Sequence, residues 1–341
     1  MAQTLRFKTR RPSGARGQRE PGPQPLPTSG SRRQASLLQQ VWKYRLPLLL
    51  VLPGLLYYLV FFYLPILGNV IAFQDYIPFL GFLHSPFNGF QNFVALYQQP
   101  EFWSALINTL VITALQLVFF FPAPIILALV LNTLISNKVR RFLQSIFYLP
   151  HFMSWVVIVI LFQQIFGGSG IFPSFLRAHG VQNPIQIMSD PNLFKPLVTA
   201  QAIWQGTGWG SVIFFAALVG IDVALYEAAA TDGAGSWGRL WHVTLPGLKP
   251  VIILLLILRL GTILSVGFEQ ILLQEPAVGQ TAGQVLDTYV YYNGIVAGNW
   301  GMGAAVGMIK SVVGLLLVLG ANWLAHRAGE AGVIDSRSAT R

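Results

Sequence analysis

Six long runs of apolar residues, separated by shorter polar segments, dominate the pattern of the chain. A helix that crosses the hydrocarbon core of a bilayer needs about 20 mostly apolar residues, and each run is long enough to supply them. We place the runs at roughly 46–73, 104–132, 142–166, 196–219, 248–273 and 301–324. The pattern predicts an all-α fold, a polytopic membrane bundle of six transmembrane helices over residues 46–325.

The composition points to the same class of protein. Hydrophobic residues make up 54% of the 341 residues and charged residues only 10%, whereas a soluble domain carries about 25% charged residues. The chain has no cysteine, which excludes disulfides, thiolate metal sites and cysteine nucleophiles. A multi-pass membrane protein with the lipid bilayer as its solvent is therefore expected.

Lysine and arginine residues lie mostly on one side of the predicted bundle. All but four of the 22 fall in residues 1–45, 133–141, 220–247 with the flanking Lys249, and 326–341. The segments on the other side hold only Arg177 and Lys195, and Arg259 and Lys310 fall inside predicted spans. Because cationic loops stay in the cytoplasm, both termini and the 220–247 loop are expected to be cytoplasmic.

The two tails are expected to lie outside the bundle. Residues 1–45 are basic and rich in Pro, Gly, Ser and Gln, which predicts a disordered cytoplasmic tail. Residues 326–341 form a short cytoplasmic tail. A pI near 10 makes nucleic acid a candidate partner, but the cations flank the predicted spans, so we expect no nucleic-acid binding.

The 220–247 loop has its own helical signals. Asp222 is a suitable N-cap for a short helix over Val223–Thr231, and Gly233 suits the turn that ends it. Ser236 could cap a second short helix that continues to about Val243. The loop is longer than most connections between helices, which suggests a function beyond linking two spans.

The same loop carries a spaced motif. Glu227-Ala228-Ala229 is followed four residues later by Gly233 and, after nine more, by Val243-x-Leu245-Pro246. This spacing resembles the EAA motif of ABC-importer permeases and departs from it only in Val for Ile. The resemblance implies a coupling helix that docks on a cytoplasmic ATPase through Tyr226, Glu227, Ala228, Ala229, Asp232, Gly233, Leu245 and Pro246.

A wider resemblance extends over most of the chain. It rests on residues 148–155, 204–222, 267–270, 287–291 and 305–311, which look most like the carbohydrate-uptake branch that includes alginate and pectin-fragment importers. It implies a type I importer in a bacterial cytoplasmic (inner) membrane, with a second, homologous permease subunit, two ATPase subunits and an extracytoplasmic solute-binding protein. The chain has no GxxxxGK[ST] sequence, so no cofactor is expected on it, and ATP with Mg²⁺ is expected on the ATPase.

Polar and aromatic residues in or near the spans are candidates for the substrate pathway: Gln163, Trp204, Gln205, Trp209, Arg259, Glu269 and Lys310. Charges at membrane depth are costly and usually face a bundle interior or a wet cavity. Arg259 and Lys310 could favour an anionic sugar, or they could pair with Glu269, with carbonyl groups or with acids of a partner permease. The tryptophans could equally be interfacial anchors.

Other functions stay open at this point. A permease for another solute, such as glycerol phosphate, would share the same loop. A secondary transporter should show paired broken spans and acidic coupling-ion sites, and Glu269 is the only acid assigned to a span interior. An intramembrane enzyme would need a nucleophile with its base or a set of metal ligands, and neither is found, so no catalytic or metal site is expected.

Overall fold

A computed structural model describes residues 44–329 and 332 of the chain. Residues 1–43 of the predicted disordered tail and most of the C-terminal tail lie outside the described residues. Arg45, predicted to belong to the disordered tail, is the first residue of a helix. Within the described residues the structure is helical without strands, and a lone antiparallel bridge joins Gln74 and Phe87. The predicted all-α fold is confirmed.

The described residues divide into two units at the boundary between Tyr63 and Leu64. In the first unit, helix Arg45–Tyr58 is followed by a π-helical turn, Leu59–Tyr63. All side chains of residues 44–63 are exposed, and most are Leu, Val, Phe or Tyr. An apolar surface of this kind suits contact with hydrocarbon.

Six helices are long and apolar enough to cross a membrane, as predicted. We number them as spans one to six: Arg45–Phe73, Pro100–Thr133, Trp155–Ala178, Pro191–Val219, Ser236–Gly261 and Trp300–Arg327. Span two contains a π-helical turn at Gln116–Phe120. The other described helical segments are shorter: Gly81–His84, Gln91–Gln98, Asn137–Tyr148, Leu149–Phe152, Val223–Thr231, Phe268–Val278, Gln280–Gly283, Leu286–Tyr289 and Val290–Val296.

Span four contributes to two buried apolar clusters of the second unit, one near each of its ends. At one end, a buried apolar cluster joins it to spans two and five through Ala128, Phe214, Leu218 and Leu248. At the other end, a second cluster joins it to span two and to the chain between spans five and six, through Ile112, Phe194, Val198, Val266, Ile271 and Val285. Spans two, four and five are therefore held in a defined register.

The third predicted run, 142–166, is not one continuous helix. Helix Asn137–Tyr148 ends in a 3₁₀ turn, Leu149–Phe152, and a new helix begins at Trp155. Pro150 cannot continue the first helix, and Ser154 caps the second by accepting a hydrogen bond from the backbone N–H of Val157 at 3.4 Å. The apolar pattern does not reveal this interruption, because apolar residues lie on both sides of it.

Helix Asn137–Tyr148 runs antiparallel along one half of span four. The Arg140 guanidinium lies 5.3 Å from the ring centroid of Phe215, and the carbonyl oxygen of Phe147 lies against Gly208. Phe147 lies seven residues after Arg140, and its contact Gly208 lies seven residues before Phe215, so the two helices run in opposite directions. The break after Tyr148 therefore lies near the middle of span four.

The fifth predicted run, 248–273, is also interrupted. Span five begins at Ser236, passes through a π-helical turn at Leu240–Thr244 and ends at Gly261, and the next long helix is Phe268–Val278. The prediction of a separate helix from Ser236 to Val243 was wrong, since the helix continues into the span and Gly235 is its N-cap. No loop separates this helix from the apolar run, so the two form one element.

Candidate functional site

Polar residues from several spans meet at the same depth in the second unit. Gln205 is the middle residue of the 29-residue span four, and Gln116 lies at the middle of the 34-residue span two. A Cβ on Gly314, near the middle of the 28-residue span six, would lie 2.7 Å from the carbonyl oxygen of Gly261. The end of span five, and Arg259 just before it, therefore also lies near the membrane centre.

Residues 262–267 form irregular backbone at this depth, between the end of span five and helix Phe268–Val278. Span two satisfies two of its carbonyl groups: Thr113 Oγ1 donates to Ile263 at 2.7 Å and Gln116 Nε2 to Val266 at 3.4 Å. Non-helical backbone within a bilayer is tolerated only where it is buried in protein or lines a water-filled cavity. This segment, the central break, is buried at Leu264 and Val266, and a cavity opens on each side of it.

The first of these cavities, the arginine cavity, has a volume of about 160 Å³. Its polar lining comes from spans two to five, the central break and helix Phe268–Val278: Gln116, Trp155, Gln205, Arg259, Ser265 and Gln270. The Arg259 Nη2 donates a 2.5 Å hydrogen bond to Gln116 Oε1, and its guanidinium lies 5.8 Å from the Phe120 ring centroid. Two predicted pathway residues, Gln205 and Arg259, are thus brought together.

The second cavity, the lysine cavity, has a volume of about 300 Å³ and lies on the other side of the central break. Its polar residues are Thr262, Ser265, Asp287, Lys310 and Ser311. Lys310 forms an ion pair with Asp287, and the two side chains are 15% and 22% exposed. Ser265 lines both cavities, so the polar surface continues from one to the other.

The remaining pathway candidates lie elsewhere. Trp209, one turn after Gln205, stacks on His151 with ring centroids 4.8 Å apart and planes within 2°. Trp204 packs edge-on against Phe162 of span three at 5.8 Å. Gln163 and Glu269 line neither of the two cavities, and the Glu269 side chain is exposed.

The acids of this region were assigned incompletely from the sequence. Glu269 is not the only acid near a span interior, because Asp287 pairs with Lys310 and Glu275 is 1% exposed. Glu275 and Asp287 lie between spans five and six, in segments that look like loops in the sequence. Only the fold shows that these segments pack against spans two and four. The linear pattern carries no signal for this packing.

A buried glutamine network is a further feature that the sequence did not reveal. Gln201 Oε1 accepts hydrogen bonds from Gln270 Nε2 at 2.9 Å and from Gln274 Nε2 at 2.8 Å. Gln270 Nε2 also donates to the carbonyl oxygen of Val198 at 2.8 Å. The four-residue spacing of Gln270 and Gln274 places both on one face of their helix. The network fixes that helix against span four, beside the arginine cavity.

The predicted helix in the 220–247 loop is confirmed over Val223–Thr231. Asp222 caps it, with Oδ1 accepting a hydrogen bond from the Ala224 N–H at 2.9 Å. Gly233 has a φ of +80°, the left-handed conformation expected for the turn that ends the helix. No residue of this helix is buried, and Glu227, Ala228 and Asp232 are exposed.

One hydrogen bond attaches this helix to the start of span five. The hydroxyl groups of Tyr226 and Thr244 lie 3.1 Å apart. Beside them is a mostly apolar groove of about 510 Å³, whose walls include Leu129, Val130, Tyr226, Trp237, Leu240 and Thr244. Ala229 and Leu245 are half-buried and Pro246 is exposed, so the motif residues surround the junction between the helix and the span.

Comparison with known proteins identifies relatives over most of the chain. Residues 120–330 match the family described as "Binding-protein-dependent transport system inner membrane component". The chain is 43% identical over 300 residues to Protein LplB of Bacillus subtilis (strain 168), covering 88% of this chain and 93% of that protein. It is also 43% identical to the polygalacturonan/rhamnogalacturonan transport system permease protein YteP of the same organism, over 87% of this chain and 91% of that protein.

Solved structures show a similar fold. The crystal structure of a bacterial alginate ABC transporter in complex with an alginate pentasaccharide-bound periplasmic protein contains a chain that is 35% identical in sequence. It superimposes with a TM-score of 0.80 and covers 88% of this chain and 100% of that one. The likeness therefore covers nearly the whole of the described bundle.

Proposed function

The chain belongs to the family of inner-membrane components of binding-protein-dependent transport systems, and we propose that it is the permease subunit of an ATP-driven importer for a sugar or oligosaccharide. Its relatives include permeases for polygalacturonan and for arabino-oligosaccharides. The observation that carries the proposal is the polar surface on both sides of the central break, at mid-membrane depth. Amides, hydroxyls and an aromatic side chain suit a sugar ring, which has hydroxyl edges and apolar faces.

The substrate pathway runs along this surface. Gln205, Arg259 and Lys310 are the pathway residues that we retain from the sequence, with Gln116, Trp155 and Ser265 added. A polar surface at this depth is unsuited to lipid. We infer that a second permease subunit covers it, so that the pathway lies between the two subunits.

Transport is powered through the Val223–Thr231 helix. Its exposed Glu227 and Ala228, together with Tyr226, Ala229, Asp232, Gly233, Leu245 and Pro246, form the surface for an ATPase subunit. Tyr226 and Thr244 connect that helix to span five, whose other end is the central break. Movement of the ATPase would thus reach the pathway through one continuous helix, a rigid-body transmission.

The orientation follows from the distribution of cations. The positive-inside rule puts the Val223–Thr231 helix and both termini in the cytoplasm, where an ATPase reaches them. The opposite loops then face the extracytoplasmic binding protein. The breaks in the third and fifth predicted runs would also suit a secondary transporter, but the family assignment favours the binding-protein-dependent importer.

The proposal is tested in cells that lack this gene and receive it on a plasmid. We expect uptake of at least one labelled oligosaccharide from a panel of oligogalacturonates, alginate oligomers and arabino-oligosaccharides, and none without the gene. Glu227→Ala should lower uptake to about a tenth of the wild-type rate or less, equivalent to about 1.4 kcal/mol.

The matched control is Glu101→Ala, which removes an exposed carboxylate at the start of span two. It should leave uptake unchanged. The proposal fails if wild-type cells take up no carbohydrate of the panel. The coupling role fails if Glu227→Ala transports normally, or if the tagged complex never copurifies with an ATPase.

A further inference from the structure

The arginine cavity and the lysine cavity differ in net charge. Lys310 is neutralised by Asp287, whereas the neutral amide of Gln116 is the only polar side-chain partner of Arg259 among the described residues. None of the residues that line the arginine cavity is acidic, and no described acid lies within ion-pair distance of Arg259. The polar surface around the central break therefore carries one uncompensated positive charge.

A guanidinium in this position has unused binding capacity. It carries five N–H donors in a planar fork that matches a carboxylate with two parallel hydrogen bonds, and Gln116 accepts from one nitrogen only. Contact with the Phe120 ring holds the group from one side. A buried charge without a counter-ion is costly, so an arriving anion gains more here than it would in water.

The rest of the cavity suits a carbohydrate attached to that anion. The Gln205 amide lines the cavity and has no hydrogen-bond partner among the described residues, and Ser265 and Trp155 are close by. The volume of about 160 Å³ is smaller than a complete small-molecule pocket, which usually occupies about 300–1,000 Å³. The cavity therefore holds part of a ligand, and the second permease subunit would enclose the remainder.

Resting on the proposed function, we propose that Arg259 selects the charge of the substrate by binding the carboxylate of an acidic sugar as it passes the membrane centre. Gln116 orients the guanidinium and Gln205 binds hydroxyl groups. Lys310, neutralised by Asp287, does not contribute to this selection.

The test uses the complete transporter, purified with its partners and reconstituted in liposomes. Three labelled probes are compared: oligogalacturonate, its methyl ester, which lacks the charge, and glycerol 3-phosphate. Arg259→Gln should lower kcat/KM for oligogalacturonate about tenfold or more, the effect of losing a charge-assisted hydrogen bond. Uptake of the ester should change less than about twofold. The control is Arg140→Gln, which removes a guanidinium on Phe215 outside both cavities.

A second variant keeps the arginine and removes only the net charge. Gln116→Glu places a carboxylate beside Arg259, and it should selectively reduce uptake of oligogalacturonate. If the Arg259→Gln transporter does not assemble, Gln116→Glu alone tests whether the charge of Arg259 selects the substrate. Equal losses for the charged and neutral sugars overturn the proposal, because they are expected if Arg259 instead pairs with an acid of the second permease. Unchanged uptake of oligogalacturonate also overturns it.

The remaining outcomes separate this proposal from the proposed function. A wild-type transporter that carries only neutral sugars overturns the charge selection and leaves the sugar importer intact. A loss confined to glycerol 3-phosphate shows an anion site whose ligand is a phosphate, which overturns the acidic-sugar assignment. Failure of the wild type to carry either sugar contradicts the proposed function itself.

Discussion

The carbonyl oxygen of Phe147 lies so close to Gly208 that a Cβ atom there would overlap it. This contact holds the end of helix Asn137–Tyr148 against the middle of span four, where the chain turns before Trp155. Gly208 thus allows the close contact at the point where the third predicted run is interrupted. The arginine cavity opens beside this turn, because Trp155 is among its lining residues.

Gly208→Ala is expected to destabilise the protein. The added methyl group meets backbone rather than a flexible side chain, so span four or the turn must shift, at a cost of about 1–3 kcal/mol for overpacking. The apparent Tm of the purified complex in detergent should fall. Gly320→Ala is the control, because nothing lies within 4 Å of a Cβ at that position of span six. Equal Tm values for both variants would contradict the contact.

Gly233→Ala is expected to weaken coupling without affecting the spans. An L-residue at a φ of +80° costs about 1–2 kcal/mol, so the chain after Thr231 should adopt another path. Substrate-stimulated ATPase activity of the reconstituted complex should fall, while the Tm stays within about 2 °C of wild type. Gly235→Ser, two residues later with a φ of −69° and open space around it, keeps a residue suited to the N-cap of span five and should behave as wild type.

Asp287→Asn alone is expected to destabilise the protein more than removal of both charges of the Asp287–Lys310 ion pair. Alone it leaves the Lys310 ammonium without its counter-ion near the membrane centre, at a cost of about 3–5 kcal/mol. Asp287→Asn combined with Lys310→Gln removes both charges and should recover most of the stability. Thermal denaturation of the two variants and of Lys310→Gln completes a double-mutant cycle. An additive cycle would show that the ion pair contributes nothing.

Gln201→Leu is expected to loosen helix Phe268–Val278 from span four. It removes the acceptor shared by the Gln270 and Gln274 amides, and an unsatisfied buried amide costs about 1–3 kcal/mol. Hydrogen exchange of residues 268–278 should become faster, whereas exchange in helix Asn137–Tyr148 should not change. Unchanged exchange in Gln201→Leu would exclude this role.

Much of the fold was readable from local pattern. Six spans follow from the length of the apolar runs, because hydrocarbon demands a minimum number of apolar residues for every crossing. The helix Val223–Thr231 follows from Asp222 and Gly233, since capping and the left-handed turn depend on residues a few positions apart. These features need no information about distant parts of the chain.

The candidate site was readable only in part. Arg259 and Lys310 were recognised because charges are rare in apolar runs, but their different environments were not. Asp287 meets Lys310 across 23 residues and Gln116 meets Arg259 across 143. Hydropathy also could not locate the breaks near Pro150 and after Gly261, because apolar residues lie on both sides of each.

Local pattern in the sequence thus accounts for the class of protein, the number of spans and the helix proposed to meet the ATPase. The depth of Arg259, its lack of an acidic partner within residues 44–329 and the neutralisation of Lys310 emerge only when spans two, four, five and six are packed together. The physical reason is that the energy of a buried charge depends on the groups around it in space, and those groups come from distant segments of the chain.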